Sequence, residues 1–212
     1  MLTVRILPLL LIAIFFSGCA SFKNDNFNSV ELTDQSSYEN KPSVYIDLEL
    51  VFKDGVQEIA GNEETLGLIK SNLADVLNKN GLFSEYSFQN ERADKMDYTL
   101  KIKVLNHGNN GAASVAGFIT GYSLFIIPTY ATDNYTVTTD LLKNGKQVSG
   151  FNESDSIRTW IGLWFIPVMS SNHPKDVSQE VIQNLIIRGL NELIKGKELK
   201  YSALNMGQVR AI

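Results

Sequence analysis

The chain has few of the residues on which disulfide-rich folds and many catalytic sites depend. Of its 212 residues, one is cysteine and two are histidine. Because Cys19 has no second cysteine to pair with, an internal disulfide is excluded, and an exported domain would rely on its hydrophobic core. His107 and His173 fall short of a typical structural zinc site, which takes four ligands. We therefore predict no metal and no cofactor.

Positive charge is also scarce, and this limits the classes of partner. Nineteen Lys and Arg stand against 23 Asp and Glu, which gives a formal net charge of −4. A nucleic-acid surface needs clustered basic residues, so we predict no nucleic-acid partner. The sequence has neither a G-x-S-x-G nucleophile motif nor a glycine-rich phosphate loop with its lysine. We therefore predict that the protein is not an enzyme.

Residues 1–18 have the pattern of an export signal. Arg5 supplies positive charge, and residues 6–16 form an apolar run that is too short for a comfortable membrane span. Small residues then directly precede Cys19, and this arrangement resembles the lipobox of bacterial lipoproteins. The resemblance implies a signal peptide that is cleaved before Cys19, whose thiol carries a diacylglycerol that anchors the protein in a membrane. The alternative is an uncleaved signal anchor with a buried thiol.

The residues after the cysteine predict where the domain is held. In enterobacteria-like sorting, an aspartate after the lipid-bearing cysteine retains a lipoprotein in the inner membrane. Ala20 occupies that position here. The resemblance therefore implies the periplasmic face of the outer membrane rather than the inner membrane. Residues 19–42 are polar and show no apolar period, so we predict a lipidated, flexible tether with a reach of roughly 25 Å.

Hydrophobic periodicity over residues 43–196 predicts one α+β domain. Alternation of apolar and polar residues indicates strands, and the step Asn144-Gly145 indicates a hairpin. Strands are predicted over 43–52, 82–88, 97–106, 134–142 and 146–159, and helices over 63–80 and 174–195. We expect a single antiparallel-rich, mixed sheet of about five strands with two helices on one face, followed by a tail over 197–212.

This order of elements is similar to that of small α/β envelope lipoproteins. Examples are the curli-secretion lipoprotein and the lipoprotein activators of penicillin-binding proteins, in which a strand leads into a helix that ends near a glycine-aromatic step. The corresponding step here is Gly81-Leu82-Phe83. The strand, the apolar glycine-rich loop ending in Ile-Pro and the following Asp-x-Tyr-Thr also resemble small uncharacterised bacterial lipoproteins. Neither resemblance implies a functional residue.

Residues 108–132 contain no charged side chain, and part of this stretch is repeated later in the chain. LFIIP at 124–128 is echoed by LWFIP at 163–167. The stretch fits three structures: a transmembrane helix, a buried core segment or an exposed apolar edge. Its glycines, Pro128 and the flanking strands argue against a membrane span. The echo and the amphipathic aromatics favour the exposed edge, because such aromatics are common at interfaces and bilayer surfaces.

We predict that the two apolar loops meet at one end of the domain and contact a protein or a membrane. The predicted contact residues are Tyr122, Leu124, Phe125, Ile127, Pro128, Trp160, Leu163, Trp164, Phe165 and Pro167. The predicted function is that of a non-enzymatic, membrane-anchored lipoprotein that serves as a binding or assembly accessory in the bacterial cell envelope, with an envelope protein as partner. The alternative is a membrane-inserting or oligomeric pore or secretion component that uses loops 108–132 and 160–169.

Overall fold

The computed structural model describes residues 18–201 except residues 26 and 109. Residues 1–17 of the predicted signal peptide and residues 202–212 of the predicted tail lie outside the described residues. In chain order the elements are β1 (Gly18–Lys23), β2 (Ser43–Asp54), β3 (Gln57–Ala60), α1 (Glu63–Asn80), β4 (Glu85–Ser87), a 3-10 turn (Asn90–Lys95), β5 (Tyr98–His107), α2 (Asn110–Tyr122), β6 (Thr129–Lys143), β7 (Lys146–Gly162), a second 3-10 turn (Leu163–Phe165), α3 (Ile166–Met169) and α4 (Pro174–Lys195).

The strands form one mixed sheet, in the order β1-β7-β6-β5-β2-β3, with β4 paired to β2. β2 pairs in parallel with β4 and β5, and the other pairings are antiparallel. The predicted α+β class is confirmed. The counts are corrected, because the sheet has seven strands rather than about five and the described residues form four helices rather than two. The strands that the pattern missed are β1, which begins at the last residue of the predicted signal peptide and continues into the predicted tether, and β3, whose four residues are all exposed and show no burial period.

The core lies between one face of the sheet and the two long helices. Alternate residues of β2, β5 and β6, such as Ile46, Leu100 and Val137, are buried against Leu73 of α1 and Leu185 of α4. Because side chains alternate across a strand, a single face of each strand supplies this core. Both helices thus bury the apolar stripe that their sequences predict.

The ends of the long helices coincide with their sequence signals. The side chain of Asn62 accepts a hydrogen bond from the amide of Thr65 at 2.7 Å, which caps α1. Gly81 follows α1 with φ of 54°, a left-handed conformation that costs glycine little. Pro174 occupies the first turn of α4, where its missing amide hydrogen costs no helical hydrogen bond.

The segment predicted as a flexible tether packs on the domain. Its first residues belong to β1, which pairs with β7. Farther along, the Asn191 side chain of α4 accepts hydrogen bonds from the amide and hydroxyl of Thr33, both at 2.9 Å, and donates one to the carbonyl of Glu31 at 2.9 Å. Leu32, between them, is buried in the core. Hydrogen bonds from a distant helix therefore hold a polar segment that carries no periodic pattern of its own.

The hairpin of β6 and β7 extends beyond the rest of the sheet and positions the site. The pairing of β5 with β6 ends at His107 and Asn134, whereas β6 continues to pair with β7 back to Thr129. β1 lies along the other side of β7 in this extension, so that Cys19, Ile161 and Thr129 form one row across three strands. Because neighbouring strands are about 4.8 Å apart, the Cα atoms of Cys19 and Thr129 are separated by about 10 Å.

Candidate functional site

The uncharged stretch 108–132 forms helix α2, a tight turn and the beginning of β6. α2 has 13 residues. Within the part of the chain that the structure describes, no helix combines the length and the apolar character needed to cross a membrane. The bulky apolar residues of the stretch, apart from the partly buried Phe125, are exposed, so the buried-core alternative is wrong for most of them.

Helix α2 places its small residues against the domain and its large apolar residues in solvent. Ala116 and Thr120 are buried, and the Ala116 carbonyl accepts hydrogen bonds from the hydroxyls of Thr120 and Thr129 at 2.9 and 3.1 Å. By contrast, Val115, Phe118 and Tyr122 are 60, 73 and 86% exposed. A helix on the surface of a soluble domain normally has the opposite orientation, with its apolar face toward the core. The outward face of α2 is therefore unexplained by the packing of the domain.

A strained turn follows α2. Leu124 and Phe125 have φ values of 55° and 64°, in the left-handed region that bulky residues rarely adopt. The amide of Phe125 donates a hydrogen bond to the Thr120 carbonyl at 2.8 Å, which closes the end of the helix. Such strain persists only where the surroundings fix it, and it is concentrated at functional sites. The turn leaves Leu124, Ile126 and Ile127 exposed.

The two echoed loops meet, as their sequences predict. The amide of Leu163 donates a hydrogen bond to the Phe125 carbonyl at 3.0 Å, and the Trp164 indole donates one to the Ile126 carbonyl at 2.9 Å. The ring of Trp160 lies between two others, with centroids 4.9 Å from Tyr130 and 5.5 Å from Phe165. The loops are therefore joined by both backbone and aromatic contacts.

The structure places all ten predicted contact residues at this end of the sheet, with differing exposure. Tyr122, Leu124, Ile127, Pro128, Trp164 and Pro167 are exposed, whereas Phe125, Trp160, Leu163 and Phe165 are partly buried beneath them. Sequence reasoning missed other exposed apolar residues here, although three of them recur with Tyr122 at helical spacing within α2. These are Val115, Phe118, Ile119, Ile126, Tyr130 and Val168. We call the surface formed by the predicted and the missed residues the apolar end.

The predicted lipid-bearing residue, Cys19, lies at the same end of the domain. In the cross-strand row its neighbours are Ile161 and, beyond it, Thr129, which contacts α2 through Ala116. The thiol is partly exposed, and burial raises its pKa. Side chains at opposed positions of paired strands share one face of the sheet. Cys19 therefore lies on the face of the extension that carries α2.

The two histidines lie at the ends of two different elements, His107 at the end of β5 and His173 directly before α4. His173 caps α4, where its Nδ1 accepts a hydrogen bond from the amide of Lys175 at 3.3 Å. His107 ends β5 opposite Asn134. Over residues 18–201, leaving aside 26 and 109, no group of three or more His, Cys, Asp or Glu side chains is arranged to hold a metal ion.

Asp133, at the base of the β6–β7 extension, provides a pH-dependent prediction. Burial raises the pKa of its carboxyl, while a hydrogen bond with the Asn106 side chain partly offsets that effect. A raised pKa means that the folded state holds the proton more tightly than the unfolded state, so the contribution to stability is present below about pH 4 and is lost as pH rises through the folded-state pKa.

We expect Asp133→Asn, which removes the partly buried charge and keeps a carbonyl for Asn106, to raise the melting temperature near neutral pH. The difference from the unmodified protein should disappear below about pH 4, where the carboxyl is neutral in both states. Thermal melts of both proteins between about pH 3 and pH 7 measure this difference in melting temperature. Asp140→Asn, on the exposed side of β6, is the control. An equal shift at all pH values would show that ionisation of Asp133 does not oppose folding.

Comparisons with known proteins leave the family of this chain unassigned. No family model and no curated protein matches the sequence. Among solved structures, a putative neuraminyllactose-binding hemagglutinin homolog from Helicobacter pylori is similar with a TM-score of 0.45 and 8% identity, over 78% of this chain and 92% of the other.

Two further solved structures show likenesses of the same order. A Xanthomonas campestris protein of family DUF330 gives a TM-score of 0.41 at 8% identity, over 81% of this chain and 94% of the other. A minor lipoprotein from Acinetobacter baumannii gives a TM-score of 0.37 at 14% identity, over 77% of this chain and 97% of the other. Likenesses at this level assign neither a family nor a function.

Proposed function

We propose that the protein is a non-enzymatic lipoprotein of the bacterial envelope, anchored through Cys19, that serves as a binding or assembly accessory. The observation that carries the proposal is the apolar end, an exposed and uncharged surface built from two loops that hydrogen-bond to each other. Large exposed apolar patches on folded domains mark contacts with proteins or membranes. Anchoring to the periplasmic face of the outer membrane is the localisation that this proposal includes.

The composition of the apolar end agrees with a contact surface rather than with a reaction centre. Trp164 is 69% exposed, although its indole hydrogen bond fixes its orientation. Aromatic residues that are held rigidly in this way lose little entropy on binding and are enriched at interaction hot spots. A catalytic centre would instead gather a nucleophile, a base and an orienting group within hydrogen-bonding distance. The apolar end presents apolar side chains and backbone carbonyls.

The double substitution Ile127→Asp and Trp164→Asp tests the contact. Both side chains are exposed, so the melting temperature should change little. Two charges at the centre of an apolar contact would have to be desolvated on binding, so association of the apolar end with its binding partner should be lost. The measurement is crosslinking of lipidated protein in its native membrane, followed by purification and comparison of the crosslinked species.

The matched control is Val56→Asp with Ile59→Asp. It introduces the same charge at two exposed apolar positions in the β2–β3 hairpin. We expect this control to retain every crosslinked species that the double substitution at the apolar end removes. If both variants retain the same crosslinked species, the apolar end is not the contact surface. If the apolar-end variant unfolds, these loops contribute to the core rather than to binding.

A further inference from the structure

Helix α2 has the orientation of a helix that lies on a lipid bilayer. Its small residues Ala116 and Thr120 pack on the domain, and Val115, Phe118 and Tyr122 project outward. We infer that this outward face is buried in the interfacial region of the same bilayer that holds the Cys19 lipid, an inference that rests on the lipid anchor of the proposed function. The helix would then lie on the membrane surface without spanning it.

The position of the anchor favours a bilayer as the occupant. Cys19, Ile161 and Thr129 are consecutive in one cross-strand row, and Thr129 contacts α2 directly. Only two strand spacings, about 10 Å, therefore separate the Cα of Cys19 from that of Thr129 beneath the helix. Because residues 19–23 are paired to β7, no free segment lies between the lipid and the domain. Insertion of the acyl chains brings α2 to the membrane surface.

The chemistry of the apolar end also matches a bilayer interface. Residues 108–132 carry no charge, so burial in the headgroup region desolvates no ionised group of this stretch. Tyr122, Tyr130 and Trp164 are exposed aromatics with polar atoms, the type enriched where acyl chains meet water. The Arg158 guanidinium lies 4.9 Å from the centre of the Tyr130 ring. It can pair with lipid phosphates at the edge of the contact.

An open groove beside α2 provides room for lipid. It has a volume of about 660 Å³ and lies between Val115 and Ile119 of the helix and Tyr130 and Trp160 of the hairpin. Its lining is mostly apolar, which suits an acyl chain. A protein contact of similar size would usually combine an apolar centre with a polar rim and about one hydrogen bond per 100–200 Å². The outward face of α2 presents few groups for such hydrogen bonds, and this favours lipid over a protein.

The test uses full-length lipidated protein in vesicles of phosphatidylethanolamine and phosphatidylglycerol, without any other protein. Because lipid blocks Cys19, a cysteine introduced by Phe118→Cys can be labelled alone with an environment-sensitive nitrobenzoxadiazole dye. Lys146→Cys, at the exposed β6–β7 hairpin turn, is the matched control. We expect the emission of the dye at residue 118 to shift to the blue and to be quenched by spin-labelled lipid. The dye at residue 146 should behave as it does in water.

A second variant separates the helix from the anchor. With Ile119→Glu and Tyr122→Glu added to Phe118→Cys, the protein should still float with the vesicles through its lipid, but quenching at residue 118 should be lost. Persistent quenching would overturn the inference, since the outward face would then not determine the insertion. Thermal melts check that the variant is folded.

The remaining outcomes distinguish the inference from the proposed function. Protein that floats with an unquenched dye at residue 118 overturns the bilayer contact and leaves the anchor intact. If the dye at residue 118 is shielded from water only in native envelope membranes, the outward face contacts a protein partner. If this shielding rises with the density of the protein in the vesicles, the outward face contacts a second copy of the chain. Either result overturns the inference. Protein that carries no lipid and fails to float refutes the proposed anchor and the inference with it.

Discussion

Replacing Cys19 with serine should leave the chain unprocessed and without lipid. The thiol is the acceptor that the lipobox resemblance implies, and a serine hydroxyl does not replace it in that chemistry. Without the lipid, stable attachment to the membrane through residue 19 should be lost completely. Each buried methylene of an acyl chain contributes about 0.8 kcal/mol to membrane binding, and two chains together bind stably. Mass spectrometry of the intact protein measures both the first residue and the added mass.

The matched control for this experiment is Ser17→Ala, which keeps a small residue before the cysteine. This variant should be cleaved before Cys19 and acylated as the unmodified protein is. If the unmodified protein begins at another residue, or begins at Cys19 without the mass of a lipid, the anchor is refuted. The structural role of β1 would remain, because its pairing to β7 does not require lipid.

Truncating Leu185 to alanine should destabilise the domain by about 2–5 kcal/mol, the range for a buried leucine that leaves a cavity. Leu185 lies in the middle of α4, is 1% exposed and belongs to the core between the helices and the sheet. A domain of this kind has a total stability of about 5–15 kcal/mol, so the loss is a large fraction of it. Denaturant unfolding of a chain expressed from residue 18 onward measures the change.

That chain must include residue 18 and the residues after it, because β1 and Leu32 are part of the fold. Val56→Ala is the control, since Val56 is 98% exposed in the β2–β3 hairpin and its truncation should change the stability by less than about 0.5 kcal/mol. A similarly small effect of Leu185→Ala would contradict the packing of α4 on the sheet. A chain that starts at residue 43 should unfold more readily than either variant.

The elements that the sequence predicts well are those with strong local patterns. Alternation over β2 and β5 places Ile46 and Leu100 in the core, and Asn144-Gly145 forms the predicted hairpin. The caps of α1, Asn62 and Gly81, also directly flank the helix predicted over 63–80. In each case the signal lies within a few residues of the structure that it specifies, so tertiary contacts reinforce a local preference.

β1 escaped prediction because its signal is not local. Its six residues, GCASFK, bury Ala20 and Ser21 in succession, so the strand shows no alternation. Its partner, β7, lies far along the chain, and the register pairs Cys19 with Ile161. The segment after it is likewise held by Asn191 through hydrogen bonds that no periodic pattern records. The polar composition therefore indicated a tether where the fold has an edge strand and a packed segment.

For the apolar end, the sequence by itself determined which apolar residues are present, and the tertiary structure decided how α2 is oriented and where Cys19 lies beside it. The absence of charge over 108–132 and the echo at 163–167 follow directly from the residues. The large apolar residues of α2 recur at helical spacing, and this pattern alone would predict that their face turns inward rather than outward. The contact of Ala116 with Thr129 fixes that orientation, and the pairing of β1 with β7 brings Cys19 beside it. Both depend on contacts between residues far apart in the chain, which local patterns do not encode.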